Sequence, residues 1–115
     1  PMADLAGPWL AARHAKARKA EDPERLRRRL RTLRTGVEVF RGLYPPAAVR
    51  PYGAALDSLY GTLDALHDLR VAEKRLTALA GTKAAKPLER QAAQHRKALA
   101  ERLKAFREAA VFWGT

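Results

Sequence analysis

Apolar residues recur at intervals of three and four along much of the chain, the spacing of one face of an α-helix. The clearest run occupies six positions, at Leu26, Leu30, Leu33, Val37, Phe40 and Tyr44. Asp22-Pro23-Glu24 precedes this run and supplies an N-cap residue, a proline suited to a first turn and an acidic side chain near the helix dipole. Pro45-Pro46 cannot continue a helix. The pattern therefore predicts a helix between these two signals.

Three further helices follow from the same spacing. A short helix starts at Gly7-Pro8 and runs to about Ala20. Another opens near Pro51 and ends at Gly81, a residue suited to a helix C-terminus. After a loop over residues 82–86, the last helix begins at Pro87 and ends in Phe112-Trp113. The third helix carries leucines at Leu56, Leu59, Leu63, Leu66, Leu69, Leu76 and Leu79.

No stretch alternates apolar and polar residues as a strand would, so we predict the all-α class. We expect one antiparallel helical bundle of one short and three long helices, a single domain over residues 1–115. Gly36 lies inside the second helix, where glycine costs about 1 kcal/mol relative to alanine, so we expect it to permit close helix approach. No apolar run approaches the ~18 residues of a membrane span. Cysteine is absent, which excludes disulfides and thiol chemistry and fits a cytoplasmic protein.

The net positive charge of the chain indicates what kind of partner it binds. The chain has 23 Lys and Arg against 12 Asp and Glu, a formal charge of +11. Ten basic and three acidic residues lie between Arg13 and Arg34, so one face should be strongly positive. An excess of this kind favours a polyanion or an anionic surface as partner.

Arginines dominate the predicted second helix. Arg27, Arg31 and Arg34 follow the leucine seam one residue behind, so all three should stand on one side of the helix. Guanidinium is planar, permanently charged and able to bind phosphate through two parallel hydrogen bonds. We interpret this arginine row, Arg27, Arg31 and Arg34, as the centre of an anion site. Further basic residues are expected to support it: Arg28, Lys16, Arg18, Lys19, Arg70, Lys74 and Arg75.

The sequence contains few of the motifs that indicate catalysis or metal binding. The chain has no phosphate-binding glycine loop, no nucleophile elbow and no paired carboxylates in a predicted cleft. Asp64, His67 and Asp68 share a helix face, but no further ligand is indicated on another helix, so we expect no metal and no cofactor. We interpret His67 as a structural residue hydrogen-bonded within the bundle, and we expect His14 and His95 to be exposed. The chain is interpreted as a binding protein rather than an enzyme.

Particular residues of the second and third helices resemble a known family. Leu26-Arg27, Arg31-Thr32-Leu33-Arg34, Glu38, Phe40 and Leu43-Tyr44-Pro45 are similar to the arginine helix in the second half of a CHAD domain, the conserved-histidine α-helical domain. The family pattern there is roughly L-H-x-L-R-x-x-x-K-R-L-R-Y-x-x-E-x-F. Leu59, Leu63, Leu66, His67 and Asp68 resemble its next helix, and Phe112-Trp113 its aromatic end. The likeness extends over most of the chain from Trp9 onward.

This resemblance implies an all-helical fold of two related bundles around a basic channel that binds inorganic polyphosphate. Many such domains occur in bacteria and archaea, and some are sorted to polyphosphate granules, which become a candidate location within the cytoplasm. Arg27, Arg31 and Arg34 match the family's basic ligands. Glu38 matches its acidic residue, which we expect to be an internal partner of those arginines.

Several positions depart from the family pattern. Glu24 stands where the histidine belongs, Thr32 replaces a basic residue, and Thr35 replaces the tyrosine. A complete domain is also considerably longer than this chain. The segment from His67 to Leu76 could instead echo the histidine motif of the family's first half, which keeps Arg70, Lys74 and Arg75 as candidates for anion contact.

Two alternatives remain beside polyphosphate binding. A nucleic-acid-binding helical protein is compatible with the charge, although no aromatic residue interrupts the basic stretch between Arg13 and Arg34 to stack on bases. A structural bundle coating granules is the other. We also expect a homodimer, because aromatic residues on all four helices should leave a patch for a second copy to cover. These are Trp9, Phe40, Tyr52, Tyr60, Phe106, Phe112 and Trp113.

Overall fold

The computed structural model describes residues 1–114. Within this range the chain forms four α-helices and no strand: α1 (Met2–Lys19), α2 (Pro23–Phe40), α3 (Pro46–Ala80) and α4 (Lys86–Glu108). Short 3₁₀ turns join α2 to α3 (Arg41–Leu43) and α3 to α4 (Thr82–Ala85). The all-α class predicted from the sequence is confirmed. None of these helices combines the length and apolarity that crossing a membrane requires.

Two helix ends follow the expected local chemistry. The Asp22 carboxylate accepts a hydrogen bond from the backbone N–H of Arg25 at 2.9 Å, which satisfies a free donor of the first turn of α2. Gly81 ends α3 with a φ of 89°, a conformation that residues with a Cβ rarely adopt. The Asp22 hydrogen bond marks where α2 begins, and the backbone angle of Gly81 marks where the chain turns from α3 toward α4.

Other helix boundaries differ from the expectation. The first helix starts at Met2, so it has 18 residues, as many as α2, and Pro8 lies inside it. Likewise α3 starts at Pro46 and contains Pro51. A proline inside a helix lacks one backbone donor and crowds the carbonyl four residues before it, yet both helices continue past their proline. The last helix ends at Glu108, and Phe112-Trp113 lies in the non-helical segment that follows.

The core lies along the leucine seam of α2 and α3. Leu30 and Leu33 of α2 are fully buried, as are Leu56 and Leu59 of α3, and Phe106 of α4 is buried beside them. Packing joins α1 to α2, α2 to α3 and α3 to α4. The seam predicted by the spacing of three and four residues is therefore the core of the bundle.

The first helix packs closely on α2 at one glycine. A Cβ placed on Gly36 would lie 1.9 Å from Cζ3 of Trp9, far inside van der Waals contact. The Trp9 ring occupies that space and meets Phe40 edge to face, with centroids 5.8 Å apart. The expected close helix approach at Gly36 is confirmed, and its partner is the indole of α1.

α3 is much longer than its neighbours, with 35 residues against 18 in α2. Glu24, in the first turn of α2, contacts His67 of α3, so residues of α3 beyond His67 extend past the start of α2 and pack against α4. The molecule is accordingly elongated, with principal extents of 56 × 22 × 22 Å. The four helices share a core at one end, and an α3–α4 hairpin projects at the other.

His14 is not exposed, so that expectation was wrong. Its side chain is buried, and a 2.7 Å hydrogen bond joins its Nδ1 to the Tyr52 hydroxyl. The imidazole packs among the rings of Tyr52, Phe106 and Trp113, with centroid distances of 5.1 to 5.6 Å. Burial, and then the positive charge of Arg18, lower the pKa of His14, so it is neutral at pH 7. Burial also raises the pKa of Tyr52.

The aromatic residues expected to form a dimerisation patch are packed against the core, and four of the seven keep part of their surface exposed. All seven aromatic residues considered for it are buried or half-buried against the core. Phe112 and Trp113, in the segment after α4, fold back onto residues of α1 and α3, and the homodimer stays a prediction. The exposed large apolar residues are instead Met2, Leu5, Val39, Leu43, Leu79 and Val111.

Replacing Gly36 by alanine should destabilise the fold, because the added methyl overlaps the Trp9 ring. We expect the free energy of unfolding to fall by about 1–3 kcal/mol, despite the better helix propensity of alanine. Urea denaturation measures the change. Gly61→Ala is the matched control, since a Cβ there meets nothing within 4 Å, and it should leave stability unchanged or raise it by up to about 1 kcal/mol. Equal effects of the two substitutions would contradict the close approach.

Acid should weaken the fold through His14 before the carboxylates titrate. The lowered pKa of His14 means that the unfolded chain takes up a proton below about pH 6.5 while the folded chain resists it. Stability should therefore fall as the pH drops from 7 to 5, by at most about 1.4 kcal/mol per pH unit. Denaturation curves of the wild type and His14→Gln test this. A variant with the same pH dependence as the wild type would contradict it.

Candidate functional site

The arginine row does not stand free in solvent but faces α3. Arg27 lies opposite Asp64, with Nη1 and Oδ1 3.4 Å apart. Arg31 donates through Nε to the Tyr60 hydroxyl at 3.3 Å. Each step forward along α2 matches an equal step backward along α3, as antiparallel packing requires. The sequence placed the three arginines on one side of α2 but gave no sign of these partners.

Arg34 completes this set of contacts. Its Nε donates to Oδ1 of Asp57 at 2.8 Å, and its guanidinium carbon lies 4.7 Å from the ring centroid of Tyr60. At the other end, Nδ1 of His67 donates to Oε1 of Glu24 at 3.0 Å. We call these four cross-helix contacts the α2–α3 ladder: Glu24–His67, Arg27–Asp64, Arg31–Tyr60 and Arg34–Asp57.

Arg27 belongs to the interior of the ladder. Only 12% of its side chain is exposed, and Nη2 lies 3.5 Å from Oε2 of Glu24 in addition to the contact with Asp64. Its Nε is buried without a hydrogen bond to any residue in the described range. Two carboxylates therefore neutralise Arg27, and little of it is left to contact a ligand.

Glu24 stands where the family pattern has histidine, and it is held as a carboxylate. The hydrogen bond from His67 lowers the pKa of Glu24 most, burial opposes this, and the positive charge of Arg27 adds to the lowering. The contact confirms the prediction that His67 is a structural residue hydrogen-bonded within the bundle. Glu24 thus links a histidine of α3 and an arginine of its own helix.

Arg31 and Arg34 are arranged differently from Arg27. Both use Nε toward α3, and no ion pair or hydrogen bond within residues 1–114 engages their terminal Nη groups. The hydrogen bond to Tyr60 raises the pKa of Arg31, which keeps its charge secure. A guanidinium fixed through Nε can present its outer N–H donors to an anion with little loss of side-chain freedom. These two arginines are the best-placed anion donors of the row.

A cleft of about 860 Å³ opens beside Arg31 and Arg34, between the second half of α2 and the first half of α3. Buried Val37, Val49 and Leu56 lie at its base. Four arginines and two carboxylates also line the cleft, an excess of two positive charges: Arg31, Arg34, Arg41, Arg50, Glu38 and Asp57. An apolar base with a charged rim is typical of a ligand-binding cleft.

Glu38 does not pair with the arginine row, so that part of the expectation was wrong. Its carboxylate lies 3.4 Å from Nη1 of Arg41, one turn further along the chain. Arg41 and Arg50, which the sequence analysis did not single out, line the same cleft. Arg50 was missed because we expected α3 to begin near Pro51, which placed Arg50 in a loop rather than on a helix face beside α2.

The remaining basic candidates fall into two groups. Lys16, Arg18 and Lys19 are exposed in the last turn of α1, and Arg29 of α2 donates to the Lys16 carbonyl at 2.8 Å, which ties that turn to α2. Arg28 is exposed on α2 beside them. The second group is exposed on the projecting part of α3, away from the arginine row: Arg70, Lys74 and Arg75.

The acidic and histidine residues of α3 do not gather around a common point. Asp64 pairs with Arg27 and His67 with Glu24, while Asp68 is exposed. Among the residues that the structure describes, no three His, Cys, Asp or Glu side chains lie close enough to hold a metal ion. Asp64 and His67 instead contact residues of α2 and so join the two helices.

Comparison with known proteins gives one match. A family model described as CHAD domain matches residues 4–112. No curated protein and no solved structure matches the chain. The matched range includes α1 from Asp4 onward, the whole of α2, α3 and α4, and every residue of the ladder and the cleft.

Removing Arg27 should cost stability, because it leaves Glu24 and Asp64 without their shared cation. We expect Arg27→Gln to lower the free energy of unfolding by about 1–2 kcal/mol. Arg28→Gln is the control, since it removes the same charge from an exposed neighbour on the same helix and should change stability by less than about 0.5 kcal/mol. Chemical denaturation decides between them. Equal losses would mean that Arg27 acts only through overall charge.

Proposed function

The chain belongs to the CHAD-domain family, and on this premise we propose that it binds inorganic polyphosphate, or a polyanion of the same kind, without catalysing a reaction. The proposed site is the arginine edge of the bundle, where α2 packs on α3. Arg31 and Arg34 supply the principal donors. Their geometry carries the proposal, because both guanidiniums are fixed through Nε and have terminal N–H groups available.

Charge supports a polyanion as the ligand. The formal charge of +11 raises the local concentration of any anionic chain, and arginine binds phosphate oxygens through paired hydrogen bonds. Basic residues of α1 extend the surface that such a chain would contact, since Arg29 holds the Lys16 turn against α2. Arg28, Arg18 and Lys19 are assigned supporting roles in this proposal.

The shape of the site favours a thin chain over a duplex. Arg31 and Arg34 lie at the edge of a cleft between two packed helices, whose axes are separated by roughly 8–10 Å in such contacts. A single chain of phosphates can follow this edge and contact successive arginines. A double helix presents its phosphates on a broad convex surface and would touch fewer of them at once.

A binding role also agrees with the state of the carboxylates. Asp57, Asp64 and Glu24 each contact an arginine of α2, so these groups are used to offset positive charge. None of them is paired with another carboxylate, the arrangement that general acid and base chemistry commonly uses. We therefore propose that the protein holds its polyanion unchanged, with polyphosphate-rich bodies as the expected location.

The proposal predicts that long-chain polyphosphate binds more tightly than duplex DNA at equal phosphate concentration. Affinity should fall steeply with added salt, because bound phosphates release counterions. Competition against one labelled polyphosphate in a single buffer measures the order. Equal or tighter binding of DNA would contradict the proposal.

Two charge-matched double variants locate the site. Arg31→Gln with Arg34→Gln should weaken polyphosphate binding by at least about tenfold, since two charge-assisted contacts are lost. Arg90→Gln with Arg96→Gln removes the same charge from exposed positions of α4 and should show only the general effect of charge. If both double variants lose the same affinity, the arginine edge is not the site.

A further inference from the structure

The cleft between α2 and α3 contains more than a chain of phosphates would use. Polyphosphate has no apolar surface, yet apolar side chains that are exposed to solvent line the cleft, among them Pro46 and Ala54. Exposed Val39 and half-buried Tyr44 also line it. A ligand that fills this volume should therefore carry an apolar group as well as negative charge.

The charges at the cleft are distributed toward two ends. Arg31 and Arg34 lie toward the middle of α2, and Arg41 follows its last turn, about 10 Å from Arg34 at the rise of a helix. Arg50 lines the cleft from α3, and among residues 1–114 it makes no ion pair, only a 3.5 Å contact from Nε to the Pro46 carbonyl of its own helix. The apolar side chains of the cleft lie between the end with Arg31 and Arg34 and the end with Arg41 and Arg50.

We propose that this cleft binds a nucleoside polyphosphate, an inference that rests on the proposed function of Arg31 and Arg34. The phosphate chain contacts those two arginines, as inorganic polyphosphate would. The nucleobase contacts the apolar side chains near Tyr44. This is the end of the cleft that Arg41 and Arg50 line. A flat base suits this end because guanidinium groups and tyrosine rings both stack on aromatic faces. The volume of about 860 Å³ lies within the usual range for small-molecule sites.

Two small residues, a glycine and an alanine, leave the space that the nucleobase would occupy. Gly53 and Ala54 of α3 line the cleft opposite the end of α2. A Cβ at Gly53 would meet nothing within 4 Å, so the first atom of a larger side chain has open space beside the cleft. This position gives a selective test, because it blocks the apolar part of the cleft and leaves both phosphate-binding arginines in place.

Calorimetric titration in metal-free buffer tests the inference, with ATP and tripolyphosphate as probes. ATP should bind about tenfold more tightly than tripolyphosphate, because its base buries apolar surface. Gly53→Leu should remove that advantage and leave tripolyphosphate binding unchanged. Gly61→Leu is the matched control on the same helix, at a position that is equally open and outside the cleft, and it should keep the advantage.

Each other result has a distinct meaning. ATP binding no tighter than tripolyphosphate overturns the nucleotide inference and leaves polyphosphate binding intact. An ATP advantage that survives Gly53→Leu overturns the assignment to this cleft. Dodecyl phosphate binding more tightly than ATP would mean that the cleft takes an alkyl chain rather than a nucleobase, and would overturn the ligand class. If ATP, tripolyphosphate and long-chain polyphosphate all fail to bind, the proposed function fails with the inference.

Discussion

The antiparallel register of α2 and α3 is the constraint on which the rest of the molecule depends. Leucine seams alone specify register weakly, because a shift by one turn would bring similar side chains together again. The α2–α3 ladder favours one alignment, since such a shift would break all four of its contacts, the Glu24–His67 hydrogen bond among them. Exposed ion pairs contribute about 0–1 kcal/mol each, so their main effect is to select one alignment. The other two helices are attached to this pair: α1 by Trp9 at Gly36, and α4 along α3.

The chemistry of arginine lets one side chain contribute to both structure and binding. Guanidinium has five N–H donors in a fixed plane, and Arg31 and Arg34 use only Nε toward α3. Lysine could not divide its donors in this directional way. The carboxylates of α3 also reduce repulsion within the arginine row, so α2 can carry its charges before any ligand arrives. Arg27 marks the limit of this arrangement, because two carboxylates and burial leave it a structural role.

Much of the fold could be predicted because it follows from local patterns. The leucine spacing predicted α2, and Asp22 predicted its start, since both signals lie within a few residues of the structure they determine. The starts of α1 and α3 were misplaced because proline was interpreted as the first residue of each helix, whereas Pro8 and Pro51 lie inside. The burial of His14 and the partners of the arginine row depend on residues 23 to 38 positions away in sequence. No periodicity within one helix contains that information, so the identities of those contacts required the structure.

The projecting hairpin distributes stability unevenly along a single continuous helix. The first half of α3 shares its core with three helices, whereas the part beyond His67 packs on α4. Local opening should therefore require less free energy near Gly81 than near Leu59. Arg70 and Lys74 consequently lie on the part of α3 that we expect to open more readily, and Arg31 and Arg34 lie beside the part that we expect to open less readily. An anion that binds the hairpin would have to order the basic side chains that contact it, and this cost would weaken binding. An anion that binds at the ladder would contact side chains that are already ordered.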